Sequence, residues 1–377
     1  MIPVNEPLIG KEELGNIIDC VRSGWISSKG KYIKDFEEEF AGFCGVKYAV
    51  SATSGTAALH LALASLGIKK GDEVVMPTFT MIATAYAVLY LGAKPVFIDS
   101  EERTWNMDVS GIEQAVTSKT KVIMPVHIYG HPVDMAPVMG LSKKHNIFII
   151  EDAAEAHGAT YKGRRCGSMG DIGCFSFYAN KIITTGEGGM IVTDDKRLAE
   201  RARLLKDLSH SPKQRFLHTE LAYNYRMTNM QAAIGLAQTL KVNRLIERKR
   251  RIARLYHDNL KGIEGLRLPL EEKWARSVYW MYSILVEEPF GLTRDEFKAR
   301  LLKEGIETRS FFIPMHKQPV IQKMGLVDKS KKYPISDYVS ARGLYLPTGL
   351  ALKDKDILFV CETIRKMRKN RGREKGS

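Results

Sequence analysis

Short apolar runs alternate with segments of helical periodicity through the first two thirds of this 377-residue chain. The pattern predicts strands over residues 48–51, 73–76, 95–98, 122–125, 147–151, 174–177 and 190–193, with helices such as 56–66 and 81–91 between them. Continuously apolar strands separated by helices predict a mostly parallel sheet covered on both faces. From 230 to 259 the pattern becomes one long, charged, amphipathic helix. A Pro/Leu-rich break follows at 266–270, then a strand at 280–286 and helices at 293–304 and 353–366. The expected architecture is α/β. A large domain over 1–240 carries a mostly parallel seven-stranded sheet, and a smaller α+β domain with a basic tail spans 241–377.

Ligands on such sheets bind beyond the carboxyl ends of the strands. Ser54-Gly55-Thr56, His127, Asp152 and Lys181 are all expected there. The first three run from a strand into a helix, whose free amides and dipole suit a phosphate. Ser54 also fits a plain helix cap. Asp152 closes an apolar strand, Ile147-Phe-Ile-Ile-Glu-Asp152, and is read as leading into a helix at 153–157, one turn of which would bring Glu155 to the same site. Ser176 alternates with Phe175 and Phe177, so it should face the site while they pack inward. Lys181 follows that aromatic strand and precedes the turn Thr184-Thr-Gly-Glu-Gly-Gly189. An amine for a Schiff base, an acid for a pyridine nitrogen and donors for a phosphate are what pyridoxal 5'-phosphate (PLP) requires.

Composition narrows the alternatives. Hydrophobic content of 44% and charged content of 27% are those of a globular protein. No apolar run approaches the ~20 residues that span a bilayer, and Met1-Ile-Pro-Val-Asn-Glu-Pro7 lacks a signal-peptide pattern. A cytoplasmic protein is expected, with no membrane partner. The five cysteines are scattered without a CxxC pair, and His127 and His131 lack companion ligands, so no metal is expected. The net charge of +14 owes much to seven basic residues from Arg365 to Lys375 and to the run Arg248-Lys-Arg-Arg251. Without a nucleic-acid-binding motif, these read as a fraying helix end and a solvated helix face, with no nucleic acid as partner. No GxGxxG after a strand, P-loop or GxSxG elbow is present.

The series Ser54-Gly-Thr56, Glu151-Asp-Ala-Ala-Glu155, Phe175-Ser-Phe177 and Asn180-Lys181 to Gly189 resembles the DegT/StrS-type nucleotide-sugar aminotransferases, PLP enzymes of fold type I. The likeness continues at Gly24 to Gly30, Pro77-Thr-Phe-Thr80, His127-Ile-Tyr-Gly130, Tyr223 to Asn229 and Gly305-Ile-Glu307, and so covers all but the basic tail. Asn180 to Met190 and Arg309 to His316 are most similar to the GDP-perosamine synthase branch. The resemblance implies that Lys181 binds the cofactor covalently and shuttles a proton, with Asp152 on the pyridine nitrogen. Gly55, Thr56 and Ser176 would hold the phosphate, and Ser54 and Glu155 would complete the cofactor site. Asn224 would reach the phosphate of a neighbouring subunit, making the unit a homodimer with shared active sites. His127, Phe312 and His316 are expected near the sugar. The implied reaction takes L-glutamate and GDP-4-keto-6-deoxymannose to 2-oxoglutarate and GDP-perosamine. Two alternatives stay open: a UDP- or dTDP-linked 3- or 4-keto hexose as substrate, and a non-catalytic PLP-binding regulator that contacts DNA. Met81 stands where many relatives place an aromatic ring over the cofactor, and Leu346-Pro-Thr-Gly-Leu350 is shorter than the usual turn.

Overall fold

All seven predicted strands form, and they join one sheet. In this computed structural model, which describes residues 1–211, 213–214 and 216–374, the strands are Tyr48–Ala52, Glu73–Pro77, Lys94–Ile98, Thr120–Ile123, Phe148–Asp152, Ile172–Ser176 and Gly189–Thr193. Numbered by chain order, they lie across the sheet as 1-7-6-5-4-2-3. Gly189–Thr193 is antiparallel to both neighbours, and the remaining pairs are parallel.

Alternation along these strands feeds two apolar layers. Val75, Ile123, Ile149, Phe175 and Val192 enter one core, beside Phe36 and Phe40 of the helix Lys31–Cys44. Val74, Met76, Val122, Ile150, Cys174 and Ile191 enter the other, with the helix Gly55–Ser65. Because both faces are covered, the strands carry few polar residues, which is why they read as unbroken apolar runs.

A second, antiparallel sheet places Tyr282–Val286 between Leu266–Arg267 and Gly343–Leu346, with Arg309–Ser310 at the edge. Its core joins Tyr282, Ile284 and Val286 to Tyr256, Phe297 and Val360 from three helices. The chain's start belongs with this sheet: Ile2 pairs with Ile306, and the Thr348 amide donates to the Val4 carbonyl at 2.9 Å.

Three expectations need correction. Residues 153–157 form turns, not a helix, because Asp152 Oδ1 captures the Ala154 amide at 3.2 Å and Gly158 turns the chain at φ +84°. The long helix is two, Asn229–Leu240 and Val242–Leu260, broken at Lys241 (φ −111°, ψ 10°), whose ammonium pairs with Glu12 and Glu13. The run Arg248-Lys-Arg-Arg251 is no solvated face: Arg248 and Arg251 grip Asp354, Arg250 grips Glu271, and Lys249 is fully buried. The last helix runs Asp354–Glu374, so of the predicted fraying tail Lys375 lies outside the described residues. Among the described residues, no helix is long and apolar enough to cross a membrane, and no His/Cys/Asp/Glu group is arranged to hold a metal.

Candidate active site

A cavity of about 520 Å³ opens at the carboxyl ends of the large sheet's strands. Ser54, Gly55, Thr56, Asp152, Glu155, Ser176, Lys181 and Phe312 all line it. The helix Gly55–Ser65 aims its first turn at this space. Ser54 Oγ accepts from the Ala57 amide at 3.1 Å, so the serine does act as the helix cap. The first backbone bond of the helix is Ala58 N–H to Ser54 C=O, which leaves the earlier amides of Gly55 and Thr56 ahead of the ladder. Gly55 is required by contact, since a Cβ there would sit 2.7 Å from Ser176 Cβ. Ser176 is thereby pressed against the helix start, while Phe175 and Phe177 are fully buried.

The strand Phe148–Asp152 delivers two acids to opposite sides. Glu151 turns away from the cavity and accepts from the amides of Gly167, Met169 and Gly170 at 2.6–2.8 Å. Burial alone would raise its carboxyl, but the hydrogen bonds from His127 and these amides outweigh it and hold Glu151 below the usual range. Asp152 faces the cavity, accepting from Thr84 Oγ1 at 2.9 Å and the Ala154 amide. Its pKa is raised by burial, against those two bonds. A buried carboxylate that faces a cavity with only neutral donors calls for a cationic ligand.

Lys181 lines the same cavity, its Nζ 3.9 Å from Glu155 Oε1 and 3.8 Å from the centre of the Trp280 ring. Burial lowers its pKa, with Glu155 and Asp152 acting in the other direction. Burial likewise raises Glu155, whose second oxygen accepts from the Tyr129 amide at 2.7 Å. Trp280 is locked by its indole N–H, which donates to the Asn180 carbonyl at 2.8 Å. Asn180 Oδ1 is buried without a partner beside this lysine. A buried amine, an acid awaiting a cation, and a glycine-tight helix start with a serine alongside fit PLP.

Two residues expected at this cavity, His127 and His316, lie off it. His127 is fully buried and lines no part of the cavity. Its Nδ1 accepts from the Val133 amide at 3.0 Å, so Nε2 carries the proton and donates to Glu151, also at 3.0 Å. Both nitrogens are spent on holding the sheet end. His316 is off the cavity too, hydrogen-bonded to Thr78 at 2.8 Å and Asp337 at 2.9 Å and stacked on Tyr333. Asn224 lies on an exposed segment, where its Oδ1 accepts from the Arg226 guanidinium.

Other lining residues escaped the sequence reading: Thr84, Asn180, Trp280, Arg309 and Tyr345. Thr80 and Thr84 are polar positions four apart at an otherwise apolar helix, a signal that could have exposed that face. Trp280 was hidden as the first residue of a predicted strand. Met81 does line the cavity and is half exposed.

Residues 7–365 match the model of the DegT/DnrJ/EryC1/StrS aminotransferase family. The chain belongs to this family. It is thus a PLP-dependent aminotransferase of the α/β type. It is 45% identical over 363 residues to the GDP-perosamine synthase of Escherichia coli O157:H7, covering 96% of this chain and 97% of that one. It is 44% identical over 358 residues to the GDP-perosamine synthase of Caulobacter vibrioides, with 94% and 95% covered. In three dimensions it is similar to a putative sugar aminotransferase of Streptococcus pneumoniae in its PLP form, at TM-score 0.90 and 28% identity, covering 98% of this chain and 99% of that one. For this aminotransferase, the cavity around Lys181 is the candidate catalytic site.

Proposed function

We propose that the protein transfers the amino group of L-glutamate to C4 of GDP-4-keto-6-deoxymannose, yielding 2-oxoglutarate and GDP-perosamine. The observation that carries this reading is the near-full-length similarity to GDP-perosamine synthases, with an intact lysine in the cavity. A relative that had lost the lysine could not form the covalent link.

When bound, PLP supplies an electron sink for the carbon that carries the amino group. The residues supply the rest. Lys181 holds the cofactor through Nζ and, once displaced, moves a proton at the reacting carbon; its lowered pKa keeps an amine available as base. Asp152 keeps a proton on the ring nitrogen, which the cationic partner would let it do as a carboxylate. The Gly55 and Thr56 amides and the Ser176 hydroxyl bind the phosphate at the helix start. Trp280 and Phe312 wall the cavity and limit water around the reacting atoms.

The active unit in this proposal is a homodimer. Asn224 is exposed and directed at none of its own chain's cavity, as expected of a residue that serves a neighbour. Leu221 beside it is 85% exposed, an apolar side chain suited to burial between subunits. Both reactants are small and water-soluble, in keeping with work in the cytoplasm.

Substrate choice is tested by turnover with glutamate and a panel of GDP-, UDP- and dTDP-linked keto hexoses. The expected result is a kcat/KM for GDP-4-keto-6-deoxymannose at least about 10-fold above the others, a difference of about 1.4 kcal/mol. A preference for a UDP- or dTDP-sugar would replace the substrate and leave the transamination in place.

A further inference from the structure

Asp152 meets the cavity through a carboxylate whose two oxygens are held differently. Oδ1 accepts from the Ala154 amide at 3.2 Å, a bond local to the turn after the strand. Oδ2 accepts from Thr84 Oγ1 at 2.9 Å, across 68 positions of the chain. Thr84 sits in the first turn of the helix Ile82–Tyr90 and is fully buried. Behind it, Thr80 Oγ1 lies 3.2 Å from Thr84 Oγ1, and Thr80 too is buried. A threonine in a helix often returns its hydroxyl to a carbonyl one turn back. Here the hydroxyl is spent on an acid instead, and a second threonine backs it.

An ionised carboxylate only accepts hydrogen bonds, so Thr84 must donate to it. That leaves the lone pairs of Thr84 free to accept from Thr80. The donations then run one way, Thr80 to Thr84 to Asp152, and each strengthens the next. A proton on Oδ2 would reverse the 2.9 Å bond and undo this order. Burial presses Asp152 toward that neutral state, and the Thr84 hydroxyl opposes it. In the reading above, Asp152 keeps a proton on the ring nitrogen of the bound cofactor. The two groups compete for that proton, so a donor that steadies the carboxylate leaves the proton on the ring. We propose that Thr84, backed by Thr80, is a positioning residue that keeps Asp152 ionised and so holds the proton on the ring nitrogen; this rests on the transamination reading above and on the role given there to Asp152.

The test loads wild type, Thr84→Val, Thr84→Ser and Thr80→Val with PLP isotopically labelled at the ring nitrogen. The NMR resonance of that nitrogen reports whether it carries a proton. Thr84→Val keeps the shape of the side chain and removes the hydroxyl. Its resonance is expected to move toward the neutral pyridine position. Its rate should fall by about 10- to 100-fold in the glutamate and keto-sugar half-reactions alike, as for loss of a hydrogen bond to a charged group. Thr84→Ser should restore both readouts, and Thr80→Val should move both in the same direction by less. An unchanged resonance in Thr84→Val would overturn the proposal, whether or not the rate falls, because packing alone would then explain the residue. A loss confined to one half-reaction would also overturn it, since the ring nitrogen serves both. Should Thr84→Val fail to hold PLP, Thr80→Val carries the test, because it leaves the bond from Thr84 to Asp152 in place. Asp152→Asn is run alongside. A ring nitrogen still protonated in that variant would refute the role of Asp152 itself, a failure seen before Thr84 is judged.

Discussion

In the proposed mechanism Lys181 and Asp152 divide the chemistry, although each lies in the other's electrostatic field. Lys181→Ala should fold, lose the visible band of the lysine-bound cofactor and drop turnover by more than about 10³-fold; a variant keeping both would remove the lysine from the mechanism. Asp152→Asn keeps the size and the hydrogen bond from Thr84, so it should bind PLP while turnover falls by about 10²–10³-fold, the scale of a lost electrostatic partner. Near-normal rates would end the role given to that acid. These two residues were legible in the sequence because a strand ending in acid and an aromatic strand ending in lysine are local patterns. His127 and His316 were not legible as structural residues: their partners Glu151, Val133, Thr78 and Asp337 come from other segments, and only the fold shows both rings occupied. Glu155 reached the cavity by a different local route, an Asx turn after Asp152 in place of the expected helix.

The elements repeat this division between local signal and long-range packing. Strands and helices of the large sheet were readable because burial on both faces writes long apolar runs. The break at Lys241 was not, since the residues on either side continue the same amphipathic pattern and the reason lies in Glu12 and Glu13 of the first helix. Gly55 marks the tightest junction, helix start against the strand Ile172–Ser176. Gly55→Ala should cost about 1–3 kcal/mol from overpacking and weaken PLP binding, seen as a lower melting temperature and a higher Kd; unchanged values would mean the phosphate cradle has slack. A second junction rests on Lys249, whose Nζ donates to the carbonyls of Trp280 at 2.9 Å and Thr348 at 2.5 Å. Burial pulls this amine down to about 7, against about 10.4 in an unfolded chain. Between those values the unfolded chain binds the extra proton, so the residue's contribution to stability rises with pH and is lowest below about 7. Lys249→Met should flatten the rise in melting temperature from about pH 7 to about pH 9. An equal rise in both proteins would contradict the buried neutral amine.

At the scale of the whole molecule, the proposed site needs two copies of the chain to be complete. Mixing Lys181→Ala with Asn224→Ala and re-forming dimers gives a mixed species in which one site has both native residues, provided that Asn224 acts across the interface. Activity above that of either parent is expected, whereas none would return if Asn224 acted within its own chain or not at all. Nothing local in the sequence suggested this proposed arrangement, because Asn224 is exposed and lines no part of its own cavity, and only the family resemblance suggested a use for it. Arg309 and Trp280 were hidden for a related reason: the small sheet and the segment leading into it supply a wall to a cavity whose floor the large sheet builds. The central claim is amino transfer through Lys181 to a GDP-linked keto sugar, and one half-reaction tests it most directly. PLP-loaded protein is treated with L-glutamate, desalted, and mixed with GDP-4-keto-6-deoxymannose while absorbance and product mass are followed. Return of the lysine-bound cofactor's visible band together with a new amino sugar is the predicted result. If glutamate never bleaches that band, or GDP-4-keto-6-deoxymannose does not restore it, the central claim is contradicted.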